Sequence, residues 1–329
     1  KNYSFFQDKI DKFLNEYPSY FAYLPARILG NCILLPVEAE SQDTALRIFS
    51  TLNDRGLPLS DADIFKAQFY KHYSTKNEKD TFIEQWKELE EICSKIFRPI
   101  NGTPMDELFT RYMYFIRAKQ GNKSSTTEAL RKFYEKDKYS ILKKDETLPN
   151  LKILANFWND VYHQNPDRFS NNILKKLFVL NYAPNGMWTY FLSVYFLQNK
   201  DENEQLDECK LEVFLTKIIA FVWAYSFVNP GVNALRTPVY AEMINIVTGK
   251  AVNFVDFKFD ENTLSTAITN FEFKNGRPIT KSMLTWWAFT NELQSLPIFN
   301  TAFEIEHIFA KKRQENDKSL QNIRNLESL

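Results

Sequence analysis

The chain of 329 residues is long enough for about two or three domains with a core each, and its 44% hydrophobic and 25% charged residues are ordinary for a soluble globular protein. The 41 basic residues balance the 41 acidic ones, which excludes a strongly basic nucleic-acid-binding domain, so any contact with DNA must come from local clusters. With only 8 glycines and 16% aromatic residues, packed helices are favoured over a sheet rich in tight hairpins.

The N-terminal part is predicted to combine helices with a little strand. Residues 3–17 carry apolar side chains at helical spacing, and the apolar run at residues 32–35 is typical of a buried strand. The turn-rich loop at residues 53–59 leads into a helix whose predicted N-cap is Ser60, with the acidic Asp63 three residues further on. Taken alone, this pattern is that of an ordinary helix, loop and helix.

The middle of the chain, residues 77–255, is predicted to be a succession of helices. Apolar stripes recur along it without a fixed repeat period, which predicts a globular helical domain rather than a solenoid. The most apolar stretch, residues 211–228, approaches the length of a membrane span. Because it contains Glu212 and Lys217, we predict a buried core helix instead.

The C-terminal part changes to shorter elements. Thr280 is the predicted N-cap of a helix that Pro297 would stop. Residues 303–309 then alternate between apolar and polar side chains, which predicts a half-buried strand with His307 on its apolar face.

This last segment carries the most distinctive chemistry in the sequence. His307 is one of only 3 histidines and stands next to Glu306. Three cations follow: Lys311, Lys312 and Arg313. An imidazole takes a proton near neutral pH, a carboxylate holds a divalent ion and cations neutralise phosphates, so one interpretation is a metal-assisted phosphodiester hydrolase. The other interpretation is a strand with one hydrogen-bonded histidine and a solvated basic run.

Two separated stretches resemble one protein family. Residues 48–67, IFSTLNDRGLPLSDADIFKA, closely resemble the signature that ends the N-terminal domain of GmrSD-type restriction endonucleases. Residues 305–308, IEHI, with the basic segment after them, resemble the start of the HNH-like (His-Me finger) nuclease domain at the C-terminus of that family. The motifs stand in the family's order, with a predicted helical region between them, and cover about a tenth of the chain.

The resemblance implies a mainly α, multi-helical protein with small α+β pieces at both ends. Residues 1–75 would be the C-terminal part of a ParB/sulfiredoxin-like domain, residues 76–255 a helical domain, and residues 256–329 the start of an HNH-like domain, an incomplete ββα-metal finger. The family's Asp-Gly-Gln-Gln-Arg and Gly-Asn-Leu elements are not in the sequence. We therefore expect both end domains to be incomplete, nucleotide to bind only the full-length N-terminal domain, and this chain alone to be inactive.

The resemblance also implies roles for individual residues. We expect His307 to be the general base, and Glu306 with Asn325 to hold Mg²⁺ or Mn²⁺. A regular strand would turn Glu306 and His307 to opposite faces, so it must bend or end at His307. The expected phosphate contacts are Lys311, Lys312 and Arg313. The N-terminal signature, for which we expect structural roles such as the turn at Gly56 and the helix cap at Asp63, consists of Asn53, Arg55, Gly56, Asp63 and Lys66.

The implied function is that of a modification-dependent DNA restriction endonuclease in anti-phage defence. Its partner would be double-stranded DNA, either modified or unmodified. No membrane is expected as a partner, and whether the protein forms a homo-oligomer is left open. The 3 cysteines lie far apart without CxxC spacing, which argues against a zinc knuckle and is typical of the cytoplasm. The alternative is a non-catalytic helical module that senses DNA or binds another protein.

Overall fold

The computed structural model describes residues 2–32, 38–40, 44–45, 48, 59–228, 236–255, 257, 259–271, 278–299, 301 and 303–305. Helices are the only regular secondary structure within these ranges, which confirms the mainly α prediction. The small α+β pieces expected at the two ends are not seen in the described residues. The chain divides into two compact units, Lys1–Pro58 and Leu59–Leu329.

The first unit contains two helices and a short 3₁₀ turn between residues 2 and 31, and the described residues 44–45 and 48 are helical as well. Helix α1 spans Asn2–Glu16, as its apolar spacing predicts, and Pro18–Tyr20 form the 3₁₀ turn. Helix α2 spans Leu24–Asn31 and has a proline in its first turn, where no backbone N–H is needed. Of the strand predicted at residues 32–35, only the first residue, Cys32, is described, and it is the C-cap of α2. The other three residues lie outside the described part.

The second unit contains eleven of the described helices. In chain order they are α3 Asp61–Thr75, α4 Lys79–Ile96, α5 Pro104–Lys119, α6 Leu130–Tyr139, α7 Thr147–Tyr162, α8 Asn171–Leu180, α9 Met187–Asn199, α10 Glu208–Val228, α11 Arg236–Val247, α12 Glu261–Thr269 and α13 Pro278–Ala288. A short 3₁₀ helix, Ser140–Lys143, follows α6.

The starts of α3 and α5 follow from local sequence. The Ser60 hydroxyl accepts a hydrogen bond from Asp63 N at 3.1 Å, and Ser60 N donates to Asp63 Oδ2 at 3.3 Å. Thr103 and Asp106 form the same reciprocal capping box at α5. Each box satisfies backbone N–H groups that have no partner inside the helix. The cap predicted at Ser60 is therefore confirmed.

The signature helix α3 packs into the helical unit through its aromatic face. The Phe65 ring centre lies 4.8 Å from those of Phe109 and Tyr134, and Phe69 lies 5.9 Å from Trp86. Both phenylalanines are fully buried. Residues 59–75 thus share one core with the helices that follow, and the contact boundary lies after Pro58. The division at residues 75 and 255 stays a prediction, because it depends on the family resemblance.

With Thr280 as the N-cap the helix would begin at residue 281, but it begins three residues earlier. Pro278 is the first residue of α13, a position that suits proline because its φ is already helical. Thr280 is fully buried inside the helix and does not cap it. The side chain of Ser282, in the same helix, accepts from Trp223 Nε1 at 3.0 Å and donates to Val179 O at 3.2 Å. These contacts hold α13 against α10 and α8.

Helix α10 is the one described helix long and apolar enough to cross a membrane. Eight of its side chains are buried in the second unit. At its surface, Lys217 Nζ donates to Val252 O at 2.9 Å. The predicted core helix is therefore observed.

Candidate functional site

The segment that leads into the histidine motif is the part of the predicted nuclease site that the structure describes. Glu306, His307, Asn325 and the three cations (Lys311, Lys312 and Arg313) lie outside the described residues. Phe303, Glu304 and Ile305 are described, and they form no strand. The strand prediction is therefore wrong for these three residues.

A physical reason is found in the backbone carbonyls of the connecting segment, residues 297–303. Gln164 Nε2 donates to Pro297 O at 2.9 Å and Asn181 Nδ2 donates to Phe299 O at 3.0 Å. The remaining two bonds run from Tyr182 Oη to Thr301 O at 3.1 Å and from Lys281 Nζ to Phe303 O. Side chains thus bond to backbone carbonyls at and just ahead of the start of the predicted strand, and no described residue pairs with it as a neighbouring strand. We call these four donors the carbonyl anchor.

Aromatic contacts add to the carbonyl anchor. Phe178, fully buried in α8, lies 6.5 Å from the ring of Phe299 and 5.9 Å from that of Phe303, both at steep angles. Edge-to-face pairs at these distances are favourable beyond the area that they bury. The chain therefore reaches Ile305 from a fixed position on the helical unit.

A cavity of about 310 Å³ lies beside this segment. Leu284, Ala288 and Phe289 of the α13 region form one wall, and Phe303 and Ile305 form another. Lys281 and Glu304 also line it, so that a mostly apolar space carries one cation and one carboxylate. We call this space the α13 cavity.

The two described members of the N-terminal signature have structural partners. Asp63 closes the capping box of α3. Lys66 Nζ donates to Glu90 Oε1 at 2.9 Å, and Trp86 Nε1 donates to the same oxygen. Lys66 is thereby held on the Trp86 ring, 5.7 Å from its centre. Asn53, Arg55 and Gly56 lie outside the described residues, so their roles stay predictions.

The two other histidines belong to no metal site that described residues could form. His72 Nε2 lies 3.5 Å from Asp145 Oδ1, and Lys76 bonds the same carboxylate. His163 Nδ1 lies 2.9 Å from the carbonyl oxygen of Asn159, one turn earlier. Across the described part of the chain, no group of three or more His, Cys, Asp or Glu side chains could hold an ion.

Sequence reasoning missed a buried charge cluster between α5, α7 and α9. Arg111 Nε donates to Glu107 Oε1 at 2.9 Å, and Tyr190 Oη donates to Glu107 Oε2 at 3.2 Å. The guanidinium carbon lies 4.1 Å from the ring centre of Trp158. Burial lowers the pKa of Arg111, and the Glu107 carboxylate partly offsets this effect. The only sequence signal was the i, i+4 spacing of Glu107 and Arg111, which surface helices share.

Burial also keeps two titratable side chains in and beside this cluster in their protonated forms. It raises the pKa of the Cys93 thiol to about 12, so the thiol stays protonated and is a poor nucleophile. It raises the pKa of Tyr190 above its ordinary value as well. We therefore assign the cluster a structural role.

No protein-family model matches this sequence, and no curated protein or solved structure shows a significant match to it.

Proposed function

We propose that this chain is part of a metal-dependent DNA endonuclease similar to the GmrSD-type restriction enzymes. The observation that carries the proposal is the order of two motifs, residues 48–67 and 305–308, on either side of a helical region. One short motif alone would carry little weight. The proposal extends to the family's substrate, modified double-stranded DNA, and to a cytoplasmic location.

The described structure supports the proposal in two ways. First, the region between the motifs consists of helices, as the family order requires. Second, the carbonyl anchor bonds to the carbonyls of four described residues between Pro297 and Phe303, a segment that ends four residues before His307 in the sequence. A catalytic group has to be held within a fraction of an ångström of its productive position, so a firmly attached lead-in segment suits this role.

The proposed roles follow from side-chain chemistry. Glu306 and Asn325 would hold the divalent ion, because carboxylate and amide oxygens are hard ligands that suit Mg²⁺ and Mn²⁺. Such an ion, when bound, polarises the scissile phosphate and stabilises the leaving oxygen. Neutral His307 takes a proton from the attacking water, whose oxygen bonds to phosphorus as the bond to the leaving oxygen breaks.

The basic run completes the proposed site. Lys311, Lys312 and Arg313 would contact neighbouring phosphates and orient the duplex without reading its sequence. Because the chain as a whole is neutral, we propose that this local positive charge supplies most of the electrostatic attraction between the protein and DNA.

The test is cleavage of supercoiled plasmid and of phage DNA with modified bases, each with Mg²⁺, Mn²⁺ or EDTA. We expect ion-dependent nicking by the full-length protein that His307→Ala abolishes, and no nicking by this chain alone. His163→Ala is the matched control, since the described contacts of this exposed histidine are a hydrogen bond with a carbonyl one turn earlier and a ring contact with the adjacent Tyr162. Equal cleavage by wild type and His307→Ala would refute the assignment.

The alternative function, a non-catalytic module that senses DNA or binds a partner, predicts a different result. The chain would then bind DNA without cutting it under any ion condition. Lys312→Gln would weaken binding and flatten its salt dependence, while His307→Ala would change nothing.

A further inference from the structure

We propose that the α13 cavity receives a single unstacked nucleobase of bound DNA. This inference rests on the proposed function and adds to it a contact with the substrate. The volume, about 310 Å³, is at the small end of ligand pockets, which suits one flat ring rather than a longer ligand.

The walls of the cavity suit a planar aromatic ligand. Phe289 and Phe303 both line it, and each packs edge-on against Phe178 with ring centres 5.9 Å apart. Phe303 is still 37% exposed, so part of its ring is available to a ligand. Rigid aromatic rings with an exposed face are the usual platforms on which unpaired bases stack.

The polar groups at the rim suit a base joined to phosphates. The exposed carboxylate of Glu304 can accept from an exocyclic amino group. Lys281 donates one of its three ammonium N–H bonds to Phe303 O and has two further donors for a phosphate. Lys175 Nζ lies 5.3 Å from the ring centre of Phe289 and places a second cation near the cavity.

The position of the cavity connects it with the proposed chemistry. Ile305 lines the cavity, and the next residue in the chain is Glu306. A base bound here would belong to the DNA that the histidine motif contacts. Enzymes that act on modified DNA gain selectivity when they take a base out of the stack, because a pocket can read groups that the duplex hides.

The experiment measures binding without cleavage, by fluorescence anisotropy in EDTA. The probes are a fluorescein-labelled duplex with one unpaired extra base and the same duplex with an abasic site at that position. We expect the wild type to prefer the unpaired base by about 10-fold, in the range of one stacking contact. Ala288→Phe fills the cavity and should remove the preference without changing affinity for the abasic duplex.

Two further variants guard against misfolding and non-specific effects. Phe303→Ala removes one stacking wall by truncating a partly exposed side chain, and should also abolish the preference. Trp287→Ala is the matched control, because this aromatic residue on the same helix is 74% exposed and does not line the cavity. It should keep the preference, and thermal unfolding checks that each variant is folded.

The outcomes separate this inference from the proposed function. Equal binding of the two duplexes by wild type, no binding of either, or a preference that survives Ala288→Phe and Phe303→Ala would each overturn the base pocket. A preference lost in Ala288→Phe but kept in His307→Ala supports it. Absence of Mg²⁺-dependent cleavage by the full-length protein alongside such a preference would refute the nuclease while the base pocket stands.

Discussion

Removing Glu107 should destabilise the second unit more than most single substitutions. Its carboxylate accepts from Arg111 Nε at 2.9 Å and from Tyr190 Oη at 3.2 Å. The Arg111 side chain is only 8% exposed, and its Nη1 has no hydrogen-bond partner in the described part. Glu107→Ala would therefore leave a guanidinium charge inside the core without its counter-ion.

The magnitude follows from these contacts. Breaking a buried ion pair from one side costs about 3–5 kcal/mol, because the remaining charge is neither solvated nor paired. For a unit of this size, each kcal/mol lowers the melting temperature by about 2–4 °C, so we expect a fall of roughly 6–20 °C. In the double variant Glu107→Leu/Arg111→Met both charges are replaced by apolar groups. Most of the stability that Glu107→Ala loses should therefore return.

Urea unfolding of the wild type, Glu107→Leu, Arg111→Met and the double variant completes a thermodynamic cycle. We expect each single variant to lose about 3 kcal/mol or more and the double variant to lie within about 1.5 kcal/mol of the wild type. Single losses below about 1 kcal/mol, or losses that simply add in the double variant, would contradict the burial of this pair.

Three other outcomes can be checked. Cys93 should react with a thiol reagent at pH 8 only after unfolding, since burial raises its pKa to about 12. The two exposed cysteines should react at once, and fast reaction of all three thiols would contradict the burial of Cys93. Tyr182→Phe should speed amide exchange around Thr301 with a local loss of about 1 kcal/mol, and unchanged exchange there would argue against the carbonyl anchor. The hydrogen bond from Lys76 lowers the pKa of Asp145, so its stabilising effect is present above the unfolded pKa and is lost as pH falls through the folded one. Asp145→Asn should therefore be less stable than wild type at pH 7, with a difference that shrinks below about pH 4; a constant difference would refute this linkage.

Some features of this protein could be predicted because their causes lie within a few residues of sequence. The capping box at Ser60 and Asp63 spans four residues, and the prediction located the start of α3 correctly. Helix α10 was identified as a core helix from two charges inside an apolar stretch. The start of α13 was predicted three residues too late because threonine and proline compete for the first positions of a helix, and proline was the stronger signal.

The sequence by itself determined the helical class and local features such as the start of α3, since periodicity and caps act over short distances. The tertiary structure decided what the lead-in to that motif does. The donors to the carbonyls of Phe299 and Thr301 follow the end of α8 and stand 118 and 119 residues earlier in the chain. No local pattern could therefore indicate that they hold the backbone just ahead of the predicted strand. Burial of Arg111 and the α13 cavity arise in the same way, from contacts between helices that no local pattern encodes.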